Sequence, residues 1–148
     1  MSSYPTKIAV LVYAKDNFEI RHFLLRFLVE AWRNVGIGIR VLRGIEHFEP
    51  ADGLILHPDL TIVPDEYLAF CKQYPLTING GVRDISKRMI SSSLIGQDDS
   101  YVGPVIVKSN CNFGGKAERK MARRSPLNRV LSSLTGCLPW SWTGQLRP

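Results

Sequence analysis

The sequence predicts an α/β fold in which a mostly parallel sheet is followed by a smaller, incomplete α+β lobe. Short apolar runs rich in β-branched residues recur along the first half of the chain. Segments whose apolar residues have helical spacing separate these runs, and such alternation is typical of a parallel sheet. The second half is polar and glycine-containing around a single apolar run. We therefore divide the chain into residues 1–82 and residues 83–148.

The first strand and helix are predicted from residues 7–36. Residues 7–13 read KIAVLVY, which is typical of a strand covered on both faces. Asp16 and Glu19 have the spacing of a capping box at a helix start, and Gly36 is a natural stop. Between them, apolar residues recur at three- and four-residue steps, as in an amphipathic helix: Phe18, Leu24, Leu25, Leu28, Ala31, Trp32 and Val35.

The rest of the first domain is predicted to contain three further strands and one short helix. The helix spans residues 64–74, with Pro64 in its first turn and two acidic residues near its positive end. The strands span residues 37–42, 53–57 and 76–79. His57 and Asp59 follow the third strand, where parallel strands commonly present ligand contacts. A turn capped by Asp59 is the simpler interpretation.

The second half is predicted to form a helix over residues 84–94, a strand over 102–109 and a glycine turn over 110–115. Residues 126–134 are a further candidate helix. The strand contains PVIVK and ends in Lys108, so it would aim an ammonium group at a fixed point. Gly114 and Gly115 would let backbone N–H groups approach a polyphosphate. A β-hairpin with an exposed lysine is the alternative.

Lys87, near the start of the predicted helix, is the second candidate for a phosphate contact. A lysine at a helix N-terminus is unfavourable unless an anion compensates it. Asp84 or a bound phosphate would supply that anion.

Together these segments resemble the opening of an ATP-grasp domain. The resemblance covers roughly residues 7–118 and implies that a Rossmann-like pre-ATP-grasp domain precedes the ATP-grasp lobe. It implies that Lys87 and Lys108 contact the phosphates of ATP, and that Gly114 and Gly115 belong to the flexible loop. The segments LTIVPDEY at residues 60–67 and ING at residues 78–80 also resemble bacterial ATP-grasp-like proteins.

The family chemistry implied is ATP-dependent ligation of a carboxylate to an amine or thiol, with magnesium bridging the phosphates. The family's metal site needs acidic residues in a later segment, but no Asp or Glu follows Glu118. The resemblance therefore indicates a fragment or truncated ligase that lacks magnesium ligands, and a family member that has lost the chemistry is the other interpretation. We expect a missing C-terminal lobe or a homo-oligomer partner. A non-catalytic interaction or nucleotide-binding module is the alternative.

Charge and composition restrict the remaining function classes. The net charge is +6, and the whole excess lies in residues 116–148, where seven Lys and Arg accompany Glu118 alone. A basic tail can bind nucleic acid, but a solvated face facing a missing acidic segment is the favoured interpretation. No apolar run is long enough to span a membrane, and residues 1–7 have no signal-peptide pattern. We expect a cytoplasmic protein whose three cysteines (Cys71, Cys111 and Cys137) are reduced.

Overall fold

A computed structural model describes residues 6–96 and 98–122 of the chain. These residues form two compact units. The first comprises residues 6–59 and 63–83, and the second comprises residues 60–62, 84–96 and 98–122. Within these residues, no helix is long and apolar enough to cross a membrane.

The first unit is built on a four-stranded sheet in which every neighbouring pair of strands is parallel. The spatial order is β2-β1-β3-β4, so β1 pairs with β2 on one side and with β3 on the other. The prediction of an α/β fold with a parallel sheet is confirmed at this level. The strands are β1 (Lys7–Val12), β2 (Gly38–Arg43), β3 (Gly53–Leu56) and β4 (Thr77–Ile78).

Two helices cover opposite faces of this sheet. Successive residues of a strand point to opposite faces, and β1 divides its side chains accordingly. Val10 and Val12 pack in one cluster with Val29 of helix α1 (Leu24–Asn34). Ala9 and Leu11 pack in another with residues of helix α2 (Asp65–Cys71). Covering on both faces explains why β1 reads as a continuous apolar run.

The first helix starts later than the sequence predicts. A 3₁₀ turn occupies Phe18–Ile20, and α1 begins only at Leu24, after Phe23 in an extended conformation. The predicted capping box is wrong, because Asp16 is buried and forms an ion pair with Arg21 instead. Because its carboxylate binds the Arg21 guanidinium, Asp16 does not accept hydrogen bonds from the backbone N–H groups at the start of a helix.

The end of α1 agrees with the prediction from Gly36. That residue has a φ of 86°, a left-handed conformation that glycine adopts without steric cost. Its N–H donates to the Arg33 carbonyl at 3.0 Å, and the N–H of Ile37 donates to the Trp32 carbonyl at 3.0 Å. These bonds satisfy carbonyl groups that a helix C-terminus leaves without partners.

The second unit contains short helices, α3 (Lys87–Ile90) and α4 (Lys116–Ala122), with a 3₁₀ turn at Asn112–Gly115. The predicted helix over residues 84–94 is therefore reduced to one turn. The predicted strand over 102–109 is wrong, since this segment has no regular structure. Its apolar side chains are exposed, with Val102 at 99% and Ile106 at 82%. A strand needs a partner for its backbone groups, and the described part of this unit contains no strand.

Two other sequence-based expectations have different outcomes. The candidate helix over residues 126–134, and all the basic residues from Arg123 onward, lie outside the described residues.

Cys71 is a buried free thiol, as expected, and burial raises its pKa. Cys111 is disulfide-bonded, so the prediction that every cysteine is reduced is wrong for this residue.

Candidate functional site

All four residues predicted to contact phosphate lie in the second unit, but in different settings. Lys87 is the first residue of α3 and is half-buried. Lys108 is exposed on the irregular segment that was expected to be a strand. Without that strand, Lys108 is not held at a fixed point. Gly114 is exposed and Gly115 is buried in the turn before α4.

Asn110 joins the two lysine-bearing segments. The N–H of Lys87 donates to the Asn110 backbone carbonyl at 3.0 Å. The N–H of Arg88 donates to the Asn110 side-chain Oδ1, also at 3.0 Å. Asn110 therefore takes up two backbone donors at the start of α3. Any anion bound nearby would depend on the side chains of the lysines, because these two N–H groups already have acceptors.

The glycine turn requires left-handed backbone. Gly114 and Gly115 have φ values of 64° and 71°, and Phe113 before them has a φ of 43°. A Cβ atom added at Gly115 would also lie 3.3 Å from the Cβ of Cys111. Glycine is needed at position 115 for both reasons. The sequence-based expectation of a turn that depends on its glycines agrees with this geometry.

The charges around this turn are mostly cationic. Among the described residues, no ion pair involves Lys87 or Lys108. The ammonium of Lys116 lies 5.4 Å from the centre of the Phe113 ring, and the Arg119 guanidinium donates to the Gly114 carbonyl. The nearby carboxylate of Glu118 instead accepts the Thr61 N–H at 2.6 Å. Within the described residues, Glu118 therefore does not form an ion pair with either lysine.

The described residues do not fit the magnesium site that the ATP-grasp resemblance implies. Magnesium bound with phosphates needs at least one or two carboxylates. No group of three or more His, Cys, Asp or Glu side chains that could hold a metal is present in residues 6–96 and 98–122. Glu118, the last acidic residue of the chain, is engaged by a backbone N–H.

A second polar cluster, which the sequence indicated only faintly, lies in the first unit. Strand β1 has β2 on one side and β3 on the other. The chain therefore runs from β1 toward one edge of the sheet and from β3 toward the opposite edge. In open parallel sheets, ligands bind beyond the carboxyl ends of strands at such a switch point. The residues that follow β1 and β3 here include Asp16, Arg21, His57 and Asp59, which we call the edge cluster.

Arg21 connects the two loops of the edge cluster. Its Nη2 atom lies 3.3 Å from Oδ2 of Asp16, and its Nη1 atom lies 3.3 Å from Oδ2 of Asp59. Asp59 adopts a left-handed conformation with a φ of 53°. The interpretation of Asp59 as a turn residue is compatible with this geometry. Its ion pair with Arg21 was not foreseen, because the two residues are far apart in the sequence.

Burial dominates the electrostatics of Asp16 and His57. Asp16 is 7% exposed, and its Oδ1 atom has no hydrogen-bond partner. Desolvation raises its pKa, although the nearby Arg21 guanidinium lowers it. The Nε2 atom of His57 is also buried without a partner, and desolvation lowers the pKa of the imidazole. His57 is therefore neutral at pH 7, with one ring nitrogen free to accept a hydrogen bond.

A cavity of about 360 Å³ adjoins the edge cluster at His57. Its wall is apolar except at His57 and Asn79, which follow β3 and β4. Asn79 also has a positive φ, 63°, and its side chain donates to the Leu56 carbonyl at 3.4 Å. The lining residues are Leu24, Leu25, Leu28, Trp32, Ile55, His57, Ile78 and Asn79.

Comparison of the chain with protein-family models, with curated proteins and with solved structures finds no match. The ATP-grasp resemblance therefore rests on the sequence motifs alone. The chemistry of the two candidate sites has to be inferred from their own residues.

Proposed function

We propose that the chain is the N-terminal portion of an ATP-grasp-type ligase, and that its second unit binds the phosphates of ATP. In this proposal the first unit is the Rossmann-like pre-ATP-grasp domain. The parallel order β2-β1-β3-β4, with helices on both faces, supports that assignment.

The observation that carries the proposal is the contact of Lys87 with Asn110. Lys87 and Lys108 lie about twenty residues apart in the sequence, with no indication there that they meet. The 3.0 Å hydrogen bond from the Lys87 N–H to the Asn110 carbonyl brings the two segments together. Lys108 precedes Asn110 by two residues, a span of about 7 Å at most. Both flexible lysine side chains can therefore reach one polyphosphate.

The charge distribution supports the same ligand. A polyphosphate is strongly anionic, and lysine binds phosphate as a mobile point charge. Neither Lys87 nor Lys108 is neutralised by an ion pair within the described residues. The exposed, left-handed Gly114 has no side chain, and a Cβ atom there would meet only Ser109 Oγ, at 3.9 Å, which leaves room for a phosphate beside the backbone.

The proposal covers nucleotide binding and not a complete ligase reaction. The acidic residues that would hold magnesium are missing from the described residues, so we derive no phosphoryl-transfer step for this chain. A further lobe, or a partner chain, would have to supply them. A cytoplasmic location is part of the same proposal.

Calorimetric titration with ATP and magnesium tests this function. We expect saturable binding that weakens about tenfold or more in Lys87→Ala and Lys108→Ala, because each change removes a charge-assisted contact. Inorganic triphosphate should compete. Lys72→Ala, an exposed lysine of the first unit, is the matched control and should leave binding unchanged. Absence of binding at millimolar ATP, or equal losses in all three variants, would refute the proposal.

One observation favours a second candidate, the non-catalytic interaction module. Val102, Ile106 and Val107 are 99%, 82% and 80% exposed on one segment of the second unit. Exposed apolar stretches of this kind mark protein–protein contacts. This candidate predicts concentration-dependent oligomers in light scattering, which Ile106→Lys should disperse. A monomer at all concentrations would exclude a homo-oligomer. The nucleic-acid alternative rests largely on basic residues outside the described part of the chain.

A further inference from the structure

Phe113 is an exposed aromatic residue in the turn Asn112–Gly115, next to the residues proposed to bind phosphate. We propose that its ring stacks on the base of the bound nucleotide, so that the second unit selects a nucleoside polyphosphate over a phosphate chain alone. This inference rests on the proposed function, because it concerns the base of the same ligand whose phosphates contact Lys87 and Lys108. Every residue involved belongs to the second unit.

The ring of Phe113 is open to solvent, whereas its neighbours in the turn are not. Phe113 is 68% exposed although its side chain is large and apolar. Cys111 before it and Gly115 after it are both buried, so the turn itself packs against the unit. An accessible aromatic face of this kind offers a large contact area that a nucleobase can cover.

The backbone on both sides of Phe113 is tied to one buried residue. The N–H of Asn112 donates to Oγ1 of Thr61 at 2.7 Å, and Thr61 is 1% exposed. The N–H of Thr61 in turn donates to Oε1 of Glu118 at 2.6 Å. Phe113 itself has a φ of 43°, which is uncommon for a residue other than glycine. Because a ring on a fixed backbone loses little freedom when a ligand binds, the entropic cost of stacking is small.

The turn folds back toward the lysine-bearing segment. A Cβ atom added at Gly114, the residue after Phe113, would lie 3.9 Å from Oγ of Ser109. Ser109 lies between Lys108 and the residue whose carbonyl accepts the Lys87 N–H at 3.0 Å. The ring and both proposed phosphate ligands therefore surround one short stretch of chain, and a nucleotide extended along it would contact all three.

Basic side chains border the ring. The ammonium of Lys116 lies 5.4 Å from the centre of the Phe113 ring, and the Arg119 guanidinium donates to the Gly114 carbonyl. Lys116 covers at most one of the two faces. Within the described part of the chain, no other cation or aromatic ring contacts Phe113. An aromatic face among basic side chains is the combination that binds stacked bases together with their phosphates.

A single ring favours a mononucleotide over a strand of nucleic acid. Strands are bound by several aromatic residues that stack on successive bases. Tyr101 is the only other aromatic residue described in the second unit, and its hydroxyl donates to the Pro104 carbonyl within its own segment. Since every base has an aromatic face, stacking alone tolerates different bases. We therefore expect little discrimination between ATP and GTP.

Calorimetry with ATP, GTP and methyl triphosphate, each with magnesium, separates the base from the phosphates. Methyl triphosphate has the same number of ionisable groups as ATP but no nucleoside. We expect wild type to bind ATP and GTP with similar affinity, about tenfold more tightly than methyl triphosphate, as one stacked base implies. Phe113→Leu should abolish this preference and leave methyl triphosphate binding unchanged, whereas Phe113→Tyr should retain it. Tyr101→Leu removes another exposed ring and should alter neither affinity.

Proton NMR of the ligand measures stacking directly and needs no variant. A base stacked on an aromatic ring lies in the shielding region above its face. The adenine H2 and H8 signals of ATP should therefore move upfield as wild-type protein is added. The shift should be absent with Phe113→Leu at the same bound fraction of ATP.

Four results would overturn the inference. Equal affinities of wild type for ATP and methyl triphosphate would refute stacking but leave the phosphate site standing. An ATP complex of wild type without the upfield shift would do the same. Tighter binding of a short oligothymidylate than of ATP, lost in Phe113→Leu, would identify single-stranded nucleic acid as the ligand. Absence of binding by both ATP and methyl triphosphate would refute the proposed function itself, and this inference with it.

Discussion

Replacing Tyr74 with phenylalanine tests how much a single buried hydrogen bond stabilises the first unit. Tyr74 is 6% exposed, and its hydroxyl group donates to the Glu49 backbone carbonyl at 2.8 Å. Phenylalanine keeps the ring and its contacts with Phe48 and Phe70, so no large cavity forms. The loss is then one good hydrogen bond and one carbonyl deprived of its donor. We expect a decrease of about 1–2 kcal/mol in the free energy of unfolding.

The same substitution has a predictable pH dependence. Burial raises the pKa of Tyr74 above its ordinary value of 10.0. As the pH rises past about 10, the unfolded chain loses the phenolic proton while the folded chain keeps it, so the stability contributed by Tyr74 declines. Phenylalanine has no such proton. The difference between wild type and Tyr74→Phe should therefore shrink above about pH 10.

Urea unfolding followed by circular dichroism, with amide exchange at Leu54 as a probe of the sheet, measures both effects. Tyr101→Phe is the matched control, because Tyr101 is 55% exposed and its hydroxyl lies 3.4 Å from the Pro104 carbonyl. A long, solvated contact of that kind should contribute less than about 0.5 kcal/mol. Equal losses in the two variants would refute the argument from burial and distance.

Two further predictions concern backbone conformation and buried charge. Gly36→Ala should destabilise the protein by about 1–2 kcal/mol, because Gly36 has a φ of 86° although the space around it is open; urea unfolding measures this loss. Asp16→Asn should gain stability relative to wild type as the pH rises above about 4. Burial raises the pKa of Asp16, so the folded wild type keeps its proton to a higher pH than the unfolded chain does.

Each of these two substitutions has a control variant for which the direction of the stability change can be predicted. Gly81 also has open space but no positive φ, so Gly81→Ala should be neutral or slightly stabilising; a loss equal to that of Gly36→Ala would contradict the conformational explanation. Asp52 accepts the N–H groups of Thr6 and Lys7, which lowers its pKa. Asp52→Asn should therefore lose stability relative to wild type as the pH rises. Parallel trends for Asp16→Asn and Asp52→Asn would refute the assigned pKa directions.

The sheet was predictable because its sequence signals are local and redundant. Residues of β1 and β3 are apolar on both faces, and a run of that kind has few alternatives to a covered strand. Gly36 marked the end of α1 through its own backbone preference. The prediction of where α1 starts was wrong, because Asp16 has the residue type and spacing of a helix cap. Its actual partner is Arg21, which lies on the far side of the 3₁₀ turn.

The second half was less predictable. Its strand-like sequence needs a neighbouring strand to pair with, and the described residues of this unit contain none. The run VGPVIVK has strand-forming residues, but pairing decides whether they form a strand, and residues 102–109 remain exposed. The Lys87 to Asn110 contact and the Arg21 bridge depend on tertiary structure that spacing does not encode. The one local hint of the edge cluster was the position of His57 and Asp59 after a buried strand.

The central place of β1 has a consequence for how the chain reaches its fold. β1 is made first, yet one of its edges pairs with Gly38–Arg43 and the other with Gly53–Leu56. Until the second of these partners is synthesised and docked, KIAVLV presents an open hydrogen-bonding edge with high β-propensity and little charge. Such a segment is a template for intermolecular pairing. Substitutions that delay the docking of β3 would therefore increase aggregation during folding, even where they leave the stability of the finished protein unchanged.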